Sequence, residues 1–379
     1  MTHAVRSGVR VFTVSDEETL HAMRPEWDSL LARSASDGPF LTWEWQAAWW
    51  RHLRGRARLS LRLVRRGDGT LVGLAPLAAY PADPRRPSPW PALGFLGTGA
   101  AGSDYLDLLV RSDAEPEVLD ALADALGRER IPVDLGQLRR RPCLSAGLAA
   151  RLRDRGWRVR HSRSSVCPIA DLGGLDWDAY LARLGREHRY AVRRASRALA
   201  ARFSVAFEAV ASEPARRDAM AILASLHERR WRRLAPETAF RTPSLRAFHD
   251  EASRRFLERG QLRLFVLRAD GRPVAALYGF VHGGRFHFYQ SGFDPEYAPW
   301  SVGLAAMAAS IRAAIQEGAR AYDFLHGAER YKFHWAGGLR RPRRIEMYPP
   351  GGRGLAAMGV NALVRRARGA VRRALRAAS

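Results

Sequence analysis

Lysine is all but absent from this chain: Lys332 is the only one in 379 residues, and the other 61 basic residues are arginine. Base-composition drift produces a bias of this kind, so a single arginine is a weak pointer to a site. Cysteine is nearly as scarce. Cys143 and Cys167 have neither metal-ligand spacing nor a partner pattern, and read as small apolar residues in a reducing compartment. No run approaches the ~18 apolar residues of a membrane span. The opening MTHAVRSGVRVFTV lacks the apolar core of a signal peptide, so a cytoplasmic location is expected. HExxH, GxSxG, Walker A and cysteine-cluster motifs are missing too, which leaves no sequence warrant for a metal ion or a covalent nucleophile.

Acid is also in deficit. With 62 Lys+Arg against 38 Asp+Glu the net charge is +24, which favours an anionic partner such as a phosphate-rich cofactor, tRNA or acidic lipid. The length suits two cores, and 47% hydrophobic residues can fill both.

In chain order, Val9–Val14 alternates as a strand, and Ser15-Asp16-Glu17-Glu18 opens a helix carrying Leu20, Met23, Trp27, Leu30 and Leu31. A second helix, Thr42–Leu53, holds four tryptophans that read as core packing. A hairpin over 58–80 turns at Gly67-Asp68-Gly69. A Pro-rich break over 81–91 then leads into a glycine-rich loop that matches no phosphate motif. Helices near 116–128 and 145–155 alternate with strands near 131–138 and 158–170. Asp171-Leu172-Gly173-Gly174 makes a linker, giving domains at 1–170 and 171–350, followed by a basic tail over 351–379. One helix is expected from Asp176 to Arg202, with Arg189, Arg193 and Arg197 on one stripe: either an anion-binding face or a solvated one. Helices over 213–234 and 242–259 precede three strands over 261–293 joined by tight turns. In the tail, Val360, Val364, Ala367, Val371 and Leu375 oppose a row of arginines. Such a helix could lie on an anionic membrane face, pack on its own domain, or fray.

The most informative stretch is RFHFYQSGFDPEYAPWSVGLAAMAASIRAAIQEGARAYDFLHGAERYKFHWAGG, residues 285–338. It reads as an aromatic strand, a Pro/Gly loop, an apolar helix, a second strand and a short aromatic helix. A strand emptying through a loop into a helix aims free N–H groups and the helix dipole at one spot, which is an anion site. The segment from Ser291 to Gly337 resembles the closing part of the CelD-type acetyltransferases, a branch of the GNAT superfamily related in architecture to Fem-type peptidyltransferases. Trp27–Leu77 and Arg183–Arg202 carry the likeness more weakly.

The resemblance implies an α/β (α+β) fold of two tandem GNAT-like domains, each a mixed, mostly antiparallel sheet flanked by helices. The first would be a degenerate copy and the second catalytic, with a sheet splayed in the middle to admit an acyl donor. It implies acetyl-CoA or another acyl-CoA as donor, bound at Ser301, Val302, Gly303, Leu304 and Ala305. Gly303 and Ala305 fit the family's pyrophosphate signature; Pro299-Trp300 stands in place of its leading basic residue. Tyr331 would be the general acid, with Asp323, His326 and Glu329 beside it. Lys332, Arg189 and Arg193 would meet the acceptor. The expected activity is N-acyl transfer to an amine, in cell-envelope or polysaccharide metabolism and possible at the inner membrane face. Two alternatives stand: an aminoacyl-tRNA donor of the Fem type, and a non-catalytic membrane- or nucleic-acid-binding protein of the same fold.

Overall fold

In the computed structural model, residues 8–83, 90–139, 142–231 and 239–377 are described. They divide into two compact units: residues 1–50, 54–164 and 341–379 form one, and residues 51–53 and 165–340 form the other. The division thus falls at Ser164 and again at Arg340, rather than in the Asp171–Gly174 linker and near 350.

The first unit begins with β1 (Val9–Val14), α1 (Glu17–Ala22), α2 (Arg24–Ala32) and α3 (Trp43–Leu53). The single helix expected after β1 is broken because Pro25 fits only the first turn of a new helix. Trp43, Trp45, Trp49 and Trp50 are all buried. Three of the indole hydrogens find partners inside: Trp43 Nε1 donates to the Leu20 carbonyl at 2.8 Å, Trp45 Nε1 to Ser103 Oγ at 2.8 Å and Trp49 Nε1 to the Thr98 carbonyl at 3.0 Å. These rings are core, and the same bonds pin the glycine-rich loop as a structural element. Strands β2 (Arg58–Leu59), β3 (Leu61–Arg66), β4 (Leu71–Ala75), β5 (Leu77–Tyr80), β6 (Ala92–Phe95), β7 (Leu109–Val110), β8 (Val133–Leu138) and β9 (Arg158–Arg163) alternate with α4 (Glu115–Glu129) and α5 (Leu144–Asp154). Positions 84–89 of the Pro-rich break lie outside the described residues.

The second unit runs β10 (Cys167–Asp171), α6 (Trp177–Arg183), α7 (Arg186–Arg202), β11 (Val205–Ala209), α8 (Glu213–Trp231), α9 (Pro243–Glu258), β12 (Leu262–Ala269), β13 (Arg272–His282), β14 (Arg285–Phe293), α10 (Val302–Gln316), β15 (Ala321–Asp323), α11 (Arg330–Trp335) and β16 (Gly338–Arg340). Its seven strands are ordered β11-β12-β13-β14-β15-β10-β16. All neighbours are antiparallel except β14 and β15. The helix expected over 176–202 is interrupted at Leu184-Gly185, where Leu184 takes an extended conformation. The end of the helix expected at Leu234 falls outside the described residues. The core of this unit stacks Phe265 on Phe286 and Phe286 on Tyr322, the latter pair 4.5 Å apart and 5° from parallel.

The chain then returns to the first unit as β17 (Arg343–Tyr348) and α12 (Gly352–Ala377). Strand β17 is inserted between β8 and β9 in a sheet ordered β2-β5-β6-β8-β17-β9. Both units are therefore mixed α/β sheets flanked by helices, mostly antiparallel, with one parallel pair in each large sheet.

A chain ended after Arg340 lacks the strand that joins β8 to β9, with buried Ile345, Met347 and Tyr348. Those three side chains are worth ~1.5–3 kcal/mol each in burial alone, against a typical domain stability of about 5–15 kcal/mol. The truncated chain should show red-shifted tryptophan emission and no cooperative unfolding of the first unit. In the full chain, Ile345→Ala should cost ~2–5 kcal/mol, read from urea midpoints.

Candidate active site

The parallel pairing of β14 with β15 lasts three residue pairs, ending at His287 opposite Asp323. Strand β14 nevertheless continues six residues to Phe293, paired on its other side with β13. A bulge at Tyr289 lies within this extension, where Tyr278 faces Gln290 while Gly279 faces Phe288, and bulges bend a strand and raise its twist. Strand β15 ends at Asp323, which leaves that edge of β14 open beyond His287. A cavity of about 360 Å³ occupies the opening. Its walls are Ala275–Leu277 of β13, Ser291–Phe293 of β14, Ser301–Leu304 at the start of α10, and Arg230, Tyr331 and Trp335.

At the mouth of α10 the backbone turns through Ser301 with φ 54°, a left-handed conformation. Ser301 N–H bonds the Ala298 carbonyl at 2.9 Å and Leu304 N–H bonds the Ser301 carbonyl at 2.9 Å. That leaves the N–H groups of Val302 and Gly303 without a backbone partner among the described residues, at the positive end of a 15-residue helix. Two of the five residues expected to bind the donor, Val302 and Gly303, thus offer a free backbone donor. Ala305 is buried in the helix and does not line the cavity. Pro299 and Trp300 belong to a short 3-10 turn, in which Trp300 packs edge-on against Phe203, ring centroids 5.0 Å apart.

Tyr331 lines the cavity. Burial pushes its phenol above the usual range, which the Arg230 charge and hydrogen bond only partly offset. Arg230 also lies over the Phe293 ring at 4.9 Å and bonds Ser291 Oγ at 3.2 Å. A basic residue from α8 therefore stands in the cavity, although the loop before α10 supplies none.

The other residues grouped with Tyr331 in sequence go elsewhere. Asp323 is fully buried, accepting from Leu325 N–H at 2.9 Å and Arg340 Nη1 at 3.1 Å. Lys332 is buried with its ammonium 3.0 Å from Glu329 and 2.8 Å from the His326 carbonyl, an arrangement that clamps the β15–α11 turn. His326 is exposed. None of these four lines the cavity. Arg193 is solvent-facing and Arg189 is half-buried, bonding the Ala182 carbonyl at 3.1 Å; the stripe they form with Arg197 lines no cavity.

Just before Arg189 lies a residue the sequence did not single out. His188 stacks on His334 at 5.2 Å and stands edge-on to Trp335 at 4.5 Å. These three side chains form the wall between the small cavity and a larger one of about 1000 Å³, lined by Tyr180, Arg183, Arg186, Asp171, Glu187 and Arg340 among others. His188 Nε2 is buried without a hydrogen-bond partner, and burial, with the nearby His334, lowers its pKa to about 4.

Residues 186–333 match the acetyltransferase (GNAT) domain family. The second unit carries a GNAT-fold acetyltransferase domain. Solved structures resemble the chain over most of its length at low identity. FemX aligns at 12% identity with a TM-score of 0.59, over 85% of this chain and 95% of that one. A conserved protein of unknown function from Bacteroides thetaiotaomicron aligns at 14% and 0.58, over 89% and 100%. L-PGS from Bacillus licheniformis aligns at 14% and 0.54, over 92% and 97%. At such identities the likeness is one of fold. No curated protein sequence matches the chain.

Packed against β13 and β14 of this GNAT unit are two more depressed histidines. Burial lowers His227 to about 4 and His249 to about 3, from an ordinary 6.5. The unfolded chain binds more protons than the folded one between these values and 6.5. Stability is therefore complete above pH 6.5 and falls as pH drops towards 4, by at most ~1.4 kcal/mol per unit for each fully buried histidine. Urea midpoints at pH 7.5, 6.0 and 5.0 should decline in that order, and His249→Leu should flatten the decline. A flat profile in the native chain would contradict these buried neutral states.

Proposed function

We propose that the second unit transfers an acyl group from a coenzyme A thioester to an amine acceptor. The observation that carries this reading is the cavity where β14 leaves β15, with two unpaired helix N–H groups at one end and the Tyr331 hydroxyl on its wall. These residues fit such a donor. Val302 and Gly303 N–H, with Arg230, suit its phosphates, and the walls contributed by β13 and β14 leave room for its pantetheine arm. A thioester held there supplies an activated acyl group. The chain's task is to position it, keep water out and handle protons.

Tyr331, kept protonated at working pH by its raised pKa, is the acid for the departing thiolate. His188 stays neutral above about pH 4 and offers Nε2 to the attacking amine's N–H. So weak a base orients the amine rather than storing its proton, which passes to solvent through the larger cavity. We place the acceptor in that cavity, with Arg183, Arg186 and Arg340 at hand for any anionic part of it. Lys332, tied to Glu329, serves the turn instead. An acceptor from envelope or polysaccharide metabolism, as in CelD-type enzymes, fits this scheme.

A second reading keeps the fold and takes aminoacyl-tRNA as donor. The net charge of +24 and the likeness to FemX favour it. A third, non-catalytic reading predicts binding without turnover and indifference to loss of the Tyr331 hydroxyl.

Tyr331→Phe keeps the ring and removes the hydroxyl, so kcat should fall ~10²-fold with little change in donor affinity. Full activity would remove the acid role, and a matching loss of stability would make this tyrosine merely structural. At the other end of the cavity, an added Cβ at Gly303 meets the Phe293 ring at 3.1 Å. Gly303→Val should therefore obstruct the approach of an anion, weakening coenzyme A binding more than tenfold in a domain that still folds. Unchanged affinity would clear this loop of donor binding.

A further inference from the structure

Helix α12 is attached to its unit by a narrow polar seam. Ala357 and Asn361 are buried, Asn361 Nδ2 donates to the Tyr348 hydroxyl at 2.9 Å, and Arg365 Nη1 donates to both Glu346 oxygens at 2.6 and 2.8 Å. Of the apolar residues that were candidates to pack on the body, Val364 is half-buried, whereas Val360, Ala367 and Val371 face solvent. Leu363 is 65% exposed, Val371 58% and Leu355 44%, and Ala356, Ala367 and Ala370 are exposed beside them. Positions 360, 363, 367 and 371 recur at helical spacing along this outward side. From Gly352 to Ala377 the sequence holds seven arginines and no acid.

Beside this helix lies a cavity of about 350 Å³ lined by Arg160, Ala362, Arg365, Arg366 and Gly369. Three guanidinium groups meet there with no carboxylate on the wall. Glu346 takes Nη1 of Arg365, but the Nε and Nη2 hydrogens of that residue are buried without an acceptor. A buried guanidinium with two unmet donors is costly unless an anion supplies oxygens, and its fork geometry matches a phosphate.

We infer that α12 docks on an anionic phospholipid surface, with a lipid phosphate in the Arg160–Arg365–Arg366 cavity and Leu363, Val360 and Val371 in the headgroup–acyl boundary. The exposed aliphatic residues decide between anionic partners. A phosphate backbone is met by the arginines alone, whereas a bilayer also rewards burying the apolar side. This inference does not depend on the acyl-transfer reading, since it concerns the first unit and needs no turnover.

The test is co-sedimentation of the full chain with vesicles of phosphatidylcholine alone and with 30% phosphatidylglycerol. Wild-type protein should bind the anionic vesicles at least tenfold more strongly, with inorganic phosphate a weak competitor. Leu363→Asp, at an exposed position that should leave folding intact, should lower that binding about tenfold with an unchanged unfolding midpoint. Arg160→Ala combined with Arg366→Ala should abolish the preference for phosphatidylglycerol. Equal binding by Leu363→Asp, or equal binding of both vesicle types by the wild-type chain, would overturn the proposal. So would tRNA binding tighter than vesicle binding and insensitive to Leu363→Asp, which would assign the basic face to nucleic acid.

Discussion

The functional architecture of this chain depends on β14 and β15 holding hands for three residues and no more. A parallel ladder continued to Phe293 would have satisfied the strand edges and closed the sheet. Because it stops, the β14 edge beyond His287 faces a cavity, the helix that follows begins at its rim, and the short α11 can bring Tyr331 to its wall. The constraint is enforced from below by packing. Phe286, Tyr322 and Phe324 are fully buried, and Tyr322 is bonded to Ser310 of α10 at 2.9 Å, fixing where pairing ends and how α10 lies. An opening at a strand's end with unpaired N–H groups beside it is a place where an anion replaces missing backbone partners.

Much of this was legible in the residues from Arg285 to Gly338, because each element is short and marked by its own punctuation. Pro295, Pro299 and Gly303 interrupt an aromatic strand and an alanine-rich helix, so type and order could be read directly. What could not be read was nonlocal. No local pattern says that β17 pairs between β8 and β9, which lie far back in the chain, since strand pairing is chosen by tertiary fit. The break at Leu184-Gly185 was hidden for a related reason. Apolar spacing on either side continues well enough to suggest one helix, and the extended Leu184 is set by packing.

The site divides along the same line. Ser301–Leu304 and Tyr331 line the cavity, and they sit at element junctions that the sequence marks. Asp323, His326, Glu329 and Lys332 were grouped with them by proximity along the chain, yet β15 and its turn point Asp323 and Lys332 into structural pairings. Arg230 and His188 were missed. One is an arginine in an Arg-rich helix end, and the other sits just past an unread helix break, so neither stood out before the fold brought α7, α8 and α11 to one cavity. In a chain of 61 arginines, the place of a guanidinium in the fold says more than composition can.

The central claim is that the cavity at the β14–β15 split binds a coenzyme A thioester. Calorimetric titration of acetyl-CoA into the full chain at 50 and 500 mM salt tests it most directly. The account predicts saturable one-site binding that weakens only modestly with salt, because two backbone donors and one arginine meet the phosphates. Absence of acetyl-CoA binding at both salts, with aminoacyl-tRNA bound tightly at low salt and lost steeply at high salt through counterion release, would contradict it.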